Sequence, residues 1–310
     1  MVDTVNKADL TLKIGTLELK NPIITASGTF GYNDEFEDYI DLSNIGAIIT
    51  KGITLNSRAG NPQPRIREVQ GGLINSIGLE NVGIHSFIEH KLPVLKNKSI
   101  PYIVNIAGYS LEEYEQVAKI CEDNNIEAIE LNVSCPNVKT GCLEFGRDID
   151  MLYKLVAIVR QVFHKTLIVK LSSNISDPVK LSRAVEKAGA DAISAVNTVK
   201  ALNIRFGKNF EKSIIKGGLS GPVVKPIALN FVNEIQDSIS IPIIGLGGVS
   251  SMTDILEFIA VGACAVQIGT ANFTNPNISE KLAVELENFM IEHKIKNICE
   301  LYRKVRDDNN

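Results

Sequence analysis

The chain has 310 residues, 45% of them hydrophobic, and a formal net charge of −4, enough apolar material for one large core or two modest ones. No basic stripe is present, which argues against a nucleic-acid partner, and no apolar run reaches the length of a membrane span. The five cysteines, Cys121, Cys135, Cys142, Cys264 and Cys299, are odd in number and form no C-x-x-C pair, which argues against a disulfide framework or an iron–sulfur or zinc centre within the chain.

In chain order, 10–14 and 16–19 alternate apolar and polar residues about Gly15 and predict a hairpin, a lid on the bottom of a larger body. Strands expected at 22–26, 47–51, 101–106, 128–132, 166–170, 192–196, 242–247 and 265–269 then alternate with helices at 33–40, 82–95, 111–124, 148–163, 178–188, 226–238 and 252–261, and a last helix at 279–293. Ser110 with Glu113 reads as a capping box, and Pro178 and Pro226 suit first helical turns. Eight near-continuous apolar strands separated by helices predict an α/β fold, a closed parallel (β/α)8 TIM barrel in a single domain spanning 1–310. The connections 52–81 and 197–224, after the second and sixth strands, exceed what a barrel needs and read as long substrate-covering loops. The tail after Ile298 reads as a short polar helix or a frayed end.

Early Asp3, Lys7 and Asp9 stand where a signal peptide needs an apolar core, so a soluble, cytoplasmic protein is expected. His85, His90, His164 and His293 have no metal-ligand spacing, and no metal is expected. Cys121 and Cys264, in apolar context, read as packing residues.

In a parallel barrel the strand exits converge on one mouth. They supply Ser27 and Gly28, Lys51 and Gly52, Asn105, Asn132, Lys170, Asn197 and Thr198, Gly247 and Gly248, and Gly269 and Thr270. Glycine pairs at the seventh and eighth exits suit a phosphate held by backbone N–H groups, although glycine also ends strands generally. Lys51 and Lys170 are either salt-bridged fillers of the mouth or cations for an anionic ligand. Asn75, Asn105, Asn132 and Asn197 match the donor–acceptor edge of a flat heterocycle, or are turn residues. Beyond the fourth strand, Ser134-Cys-Pro-Asn137 cannot extend a ladder because Pro136 lacks an N–H. Cys135 is there either a small buried hydrophobe or an ionisable thiol beside amide groups.

The segments Ala26-Ser-Gly-Thr-Phe-Gly31, Thr50-Lys-Gly52, Gly60-Asn-Pro-Gln-Pro-Arg65, Asn75-Ser-Ile-Gly-Leu79, Leu131-Asn-Val-Ser-Cys-Pro-Asn137, Val196-Asn-Thr198, Gly217-Gly-Leu-Ser-Gly-Pro222, Gly245-Leu-Gly-Gly248 and Gln267-Ile-Gly-Thr270 together resemble the class 1 dihydroorotate dehydrogenases across essentially the whole chain. The resemblance implies FMN at Ser27, Lys51, Gly52, Asn105, Asn132, Lys170, Val196, Gly221, Gly247, Gly248, Gly269 and Thr270. It implies dihydroorotate or orotate at Lys51, Asn75, Ser76, Ile77, Gly78, Leu79, Asn132, Asn197 and Thr198. Cys135 is implied as the base that takes the C5 proton while hydride leaves C6 for the flavin, a step of pyrimidine biosynthesis. A thiol of ordinary pKa about 8.5 can serve if modestly acidified.

Class 2 relatives, with serine at that position and an amphipathic N-terminal extension, resemble the chain less. The Ser-Gly-Thr-Phe-Gly and Gly-Gly-Leu-Ser-Gly segments look like the 1B type. That type implies a homodimer within a heterotetramer, in which a second subunit carrying FAD and a 2Fe–2S cluster passes electrons to NAD⁺. A fumarate-reducing 1A homodimer, a related dihydropyrimidine dehydrogenase, a flavin-free phosphate-sugar lyase or isomerase barrel, and a non-catalytic binding subunit are the alternatives. No dinucleotide fingerprint is present: Gly245-x-Gly-Gly248 lacks the required spacing. Cys142 departs from the glycine expected in the loop after Cys135, so a second thiol there could oxidise or pair with it.

Overall fold

The computed structural model describes residues 7–32, 43–98, 100–133 and 148–307. The helix expected at 33–40, together with Cys135 and Cys142, lies outside these. Strands are numbered along the chain. Eight of them close a barrel in the order β3 (Ile23–Thr25), β4 (Ala47–Ile49), β7 (Tyr102–Ile106), β8 (Ala128–Asn132), β9 (Thr166–Ser172), β10 (Ala192–Asn197), β13 (Ile243–Leu246) and β14 (Ala265–Ile268). All eight are parallel, and β14 pairs back onto β3. These are the strands expected from their apolar runs, so the (β/α)8 TIM barrel is the observed fold.

Helices cover the outside: α1 (84–96), α2 (Leu111–Asp123), α3 (Ile149–Val162), α4 (Pro178–Lys187), α5 (Lys225–Ile235), α6 (Met252–Ala260), α7 (Ala271–Thr274), α8 (Ile278–Glu292) and α9 (Ile298–Asp307). Their buried stripes, such as Val117 and Cys121 on α2 and Leu152, Val156 and Val159 on α3, pack on outward strand residues including Val104, Ile129 and Leu167. Burial raises the thiol pKa of Cys121 and pushes that of Cys264 up to about 12, in keeping with packing roles. At α2, Ser110 Oγ accepts from the Glu113 N–H at 3.3 Å, while Glu113 Oε2 accepts from the Tyr109 N–H at 2.7 Å, so the expected capping box reaches one residue further back. No helix among the described residues is long and apolar enough to cross a membrane.

The floor is built by the predicted hairpin, β1 (Leu12–Ile14) paired antiparallel with β2 (Leu17–Leu19). Ile14, Leu17 and Leu19 pack on the lowest inward layer of the barrel, formed by Ile24, Ile103, Ala128, Ile168, Ala192, Ile244 and Ala265 among others. Thr166 Oγ1 ties the hairpin in place, accepting from the Thr16 and Leu17 N–H groups at 3.0 and 3.1 Å and donating to Ile14 O.

Two expectations gain detail. The long connections are not open loops: β5 (Ile66–Val69), β6 (Gly72–Asn75), β11 (Val199–Phe206) and β12 (Lys212–Ser220) form one antiparallel sheet in the order β11-β12-β6-β5. The alternation visible at 202–206 is that of a strand, and Gly71, at φ +78°, turns the chain between β5 and β6. The tail takes the helical alternative, and α9 is amphipathic rather than polar throughout: Ile298 and Leu301 are buried, and Arg306 donates to Ile259 O and Ala263 O, both at 3.1 Å.

Candidate active site

Side chains alternate along a strand, so every second residue above the apolar floor also points inward. Two residues above Ala128, Ile168, Ala192, Ala265 and Ile103 stand Glu130, Lys170, Ser194, Gln267 and Asn105, all buried. They form one network. Glu130 Oε1 accepts from Asn105 Nδ2 at 2.7 Å and lies 3.4 Å from Lys170 Nζ, while Oε2 accepts from Ser194 Oγ at 2.8 Å and Gln267 Nε2 at 2.7 Å. Lys170 Nζ also donates to Ser27 Oγ at 3.2 Å. The oxygen of the Asn105 carboxamide is buried without a hydrogen-bond partner.

Above this layer a cavity of about 360 Å³ opens between the barrel mouth and the added sheet. Ser27, Gly28, Lys51, Gly52, Asn105 and Asn132 line its barrel side; Asn75, Ile77, Gly78, Leu79, Asn197 and Thr198 line the rest, with Thr29, Gly31, Glu80 and the half-exposed Phe273. Asn132 Oδ1 accepts from Asn197 Nδ2 at 3.2 Å, and the Asn132 carbonyl accepts from the Tyr114 hydroxyl at 2.7 Å. Asn75 Nδ2 donates to Gly218 O on β12 at 3.2 Å. Lys51 Nζ stands 3.8 Å from Glu80, which Arg65 engages more closely at 2.5 Å. Ser76, expected at the substrate, is absent from the lining: Asn61 Nδ2 donates to its hydroxyl at 3.1 Å. A larger groove, of about 690 Å³, lies at the opposite end beside the hairpin, away from the face where parallel barrels carry their chemistry.

The remaining expected residues gather beside this cavity rather than in its lining. Gly247 and Gly248 turn through φ +129° and +83° at the end of β13, and Gly221 through +103° after β12. A Cβ on Gly248 would come 2.8 Å from Lys225 Cβ and 3.0 Å from Gly221 O, and one on Gly221 would reach Thr270 Cγ2 at 3.6 Å. The exits of β12, β13 and β14 thus meet as bare backbone, and Thr270 Oγ1 donates to Ser220 Oγ at 2.8 Å. Val196, at the end of β10, packs near Gly247.

This corner is braced by Asp254 on α6, which accepts from Lys225 Nζ at 2.6 Å and from the Ser250 N–H at 2.8 Å. Burial alone would raise the Asp254 pKa, but the bonds from Lys225, Ser250 and Ser251 outweigh it and hold the carboxyl below its ordinary 3.8. Its contribution is therefore present in full above pH 3.8 and is lost as pH falls through the depressed value. Asp254→Asn is expected to cost about 1.5 to 3 kcal/mol at pH 7. In denaturant titrations across pH, the gap to the parent should close below that value; a gap independent of pH would remove the carboxylate from the account.

Sequence reasoning left Glu130, Ser194 and Gln267 without a role. The available signal was a single polar residue inside each apolar strand, in Ala128-Ile-Glu-Leu-Asn132, Ile193-Ser-Ala195 and Val266-Gln-Ile268. Chemically, the site offers cations and neutral amides around a cavity, a buried carboxylate beneath it and a backbone cradle at one side. Those features suit a flat, anionic, polar ligand and a phosphate group.

The family model described as dihydroorotate dehydrogenase matches residues 9–290. A relative from Geotalea daltonii, named dihydroorotate dehydrogenase B (NAD(+)), catalytic subunit, is 47% identical over 297 residues, covering 95% of this chain and 97% of the relative. One of the same name from Geotalea uraniireducens is 46% identical over 299 residues, covering 96% and 98%. The crystal structure of a dihydroorotate dehydrogenase from Eimeria tenella in complex with ferulenol superposes with a TM-score of 0.81 at 18% identity, covering 100% of this chain and 91% of that one. At that identity the likeness concerns the fold.

Proposed function

The chain belongs to the dihydroorotate dehydrogenase family, and on that premise we propose that it oxidises (S)-dihydroorotate to orotate in pyrimidine biosynthesis as the catalytic subunit of an NAD-linked, class 1B enzyme. The observation that carries this reading is the pairing of an amide-lined cavity with the buried Glu130–Lys170–Asn105 layer beneath it. The relatives' shared name, with its NAD(+) and its catalytic subunit, favours the 1B type over a fumarate-reducing one.

The residues present fit FMN. The unpartnered Asn105 oxygen is an acceptor awaiting a donor, and the strand exits at Gly221, Gly247 and Gly248 present backbone without side chains, which suits a phosphate held by N–H groups. Ser27, Lys51, Gly52, Asn105, Asn132, Lys170, Val196, Gly221, Gly247, Gly248, Gly269 and Thr270 would hold it. Bound there, FMN supplies a two-electron acceptor for hydride from substrate C6.

The chain's own work is to bind, orient and take a proton. Lys51 would hold the substrate carboxylate. The carboxamides of Asn75, Asn132 and Asn197, with Thr198 and the Ser76–Leu79 backbone, would meet the ring's donors and acceptors and fix one face toward the strand exits. Cys135 Sγ would take the C5 proton. Lys170 would favour negative charge developing on the ligand above it. Electrons would leave to NAD⁺ through a partner subunit with FAD and a 2Fe–2S cluster, in a cytoplasmic heterotetramer built on a homodimer, the whole of 1–310 acting as one domain.

An anaerobic spectrum before and after adding dihydroorotate tests this reading. Yellow protein that bleaches is the expected result. Bleaching by dihydrouracil instead would move the chain to a related pyrimidine, and colourless protein that takes up no FMN would overturn the flavin.

A further inference from the structure

We infer that Glu130 is a positioning residue that sets the charge and the hydrogen bonding presented to the flavin: it aims the Asn105 carboxamide and offsets the charge of Lys170. The inference rests on the reading of this cavity as an FMN site and concerns a residue to which the sequence motifs give no role.

Glu130 is fully buried on β8, directly above an apolar floor that includes Ala128, Ala192 and Ala265. All four groups bonded to it are donors, two on each oxygen, which is the complement of a carboxylate. A buried ion pair is weak grounds for stability, because desolvating both ions offsets much of their attraction, and an apolar layer of the same volume would serve packing as well. The layer immediately below shows that this barrel does build apolar layers. A charge at this height is therefore better explained by what it does to the groups beside it.

It does two things. Glu130 Oε1 accepts from Asn105 Nδ2, so the carboxamide cannot turn over, and its unpartnered oxygen is held toward Gly52, where an added Cβ would come within 2.9 Å. The same oxygen faces Lys170 Nζ at 3.4 Å, and in a buried site its negative charge subtracts from the positive potential the lysine presents. Less positive potential means less preference for the more negative, reduced flavin. Ser194 and Gln267 hold the far oxygen and keep the carboxylate seated.

Glu130→Gln keeps the shape and removes the charge. Gln267 Oε1 is buried without a partner, so that amide can turn and accept from the new one, and the Ser194 hydroxyl can rotate. The variant is expected to retain FMN and to bind reduced FMN about tenfold more tightly relative to oxidised, a positive midpoint shift of about 30 mV for a two-electron couple, read by dye-coupled redox titration of the holoprotein. Retained FMN with an unmoved or more negative midpoint overturns the inference while leaving the flavin reading intact. Parent protein that takes up no FMN overturns both. If Glu130→Gln does not fold, Ser194→Ala carries the test: losing one neutral donor leaves the carboxylate less offset, and the midpoint should move negative. No shift, or a positive one, overturns the inference.

Discussion

Lys170→Met is expected to lose most of its FMN and about 3 to 5 kcal/mol of stability, the cost of breaking a buried pair by removing one partner. Lys170 is only 3% exposed and its ammonium lies 3.4 Å from a carboxylate with no exposure at all. Methionine fills the space with a flexible apolar stem, so the loss is electrostatic rather than a cavity. It leaves Glu130 charged, dry and short of a cation. Adding Glu130→Gln should restore part of the stability, since exchanging both members of such a pair for neutral groups is often close to neutral. Urea titrations of the two single variants and the double variant measure this directly. Strictly additive losses would mean that the two groups do not interact.

Cys135→Ala is expected to keep its FMN and to slow flavin reduction by dihydroorotate by about 10² to 10⁴, the range for a positioned base. The thiol follows Asn132 by three residues, and that strand end is held from two sides, by the Tyr114 hydroxyl on its carbonyl and by Asn197 on its amide oxygen. Alanine removes the ionisable thiol, while the bonds of the Glu130–Lys170–Asn105 layer involve none of its atoms. Anaerobic stopped-flow at 450 nm on the order of milliseconds to minutes resolves the change. Reduction as fast as in the parent would assign the proton to another group.

Much of the fold and the site is legible in the residues. Each barrel strand shows itself as a short apolar run with its exit directly after it, which is enough to bring Asn105, Asn132, Lys51 and Asn197 to one mouth. What cannot be read that way depends on closure. Glu130, Ser194 and Gln267 come from β8, β10 and β14, and only the closed barrel brings their side chains within hydrogen-bonding distance. Nor does a run of alternating residues at 199–206 announce the sheet it joins: it pairs with β12, and β12 pairs in turn with β6, Gly218 opposite Asn75, so the two long connections share one sheet. Ser76 stands in the right motif, yet Asn61 engages its side chain. Motif position selects a segment, and side-chain direction within it is settled by neighbours.

The added sheet has a consequence for how such proteins can be recombined. Its central pair joins β6 to β12, with Leu73 opposite Ser220 and Ile74 opposite Leu219, and at Gly72 any Cβ would collide with the Ser220 carbonyl oxygen. The roof of the cavity is therefore inherited as a matched set. A chimera with a crossover anywhere between β6 and β11 would join halves of two different roofs, whereas one that carries both insertions from the same parent would keep the set whole.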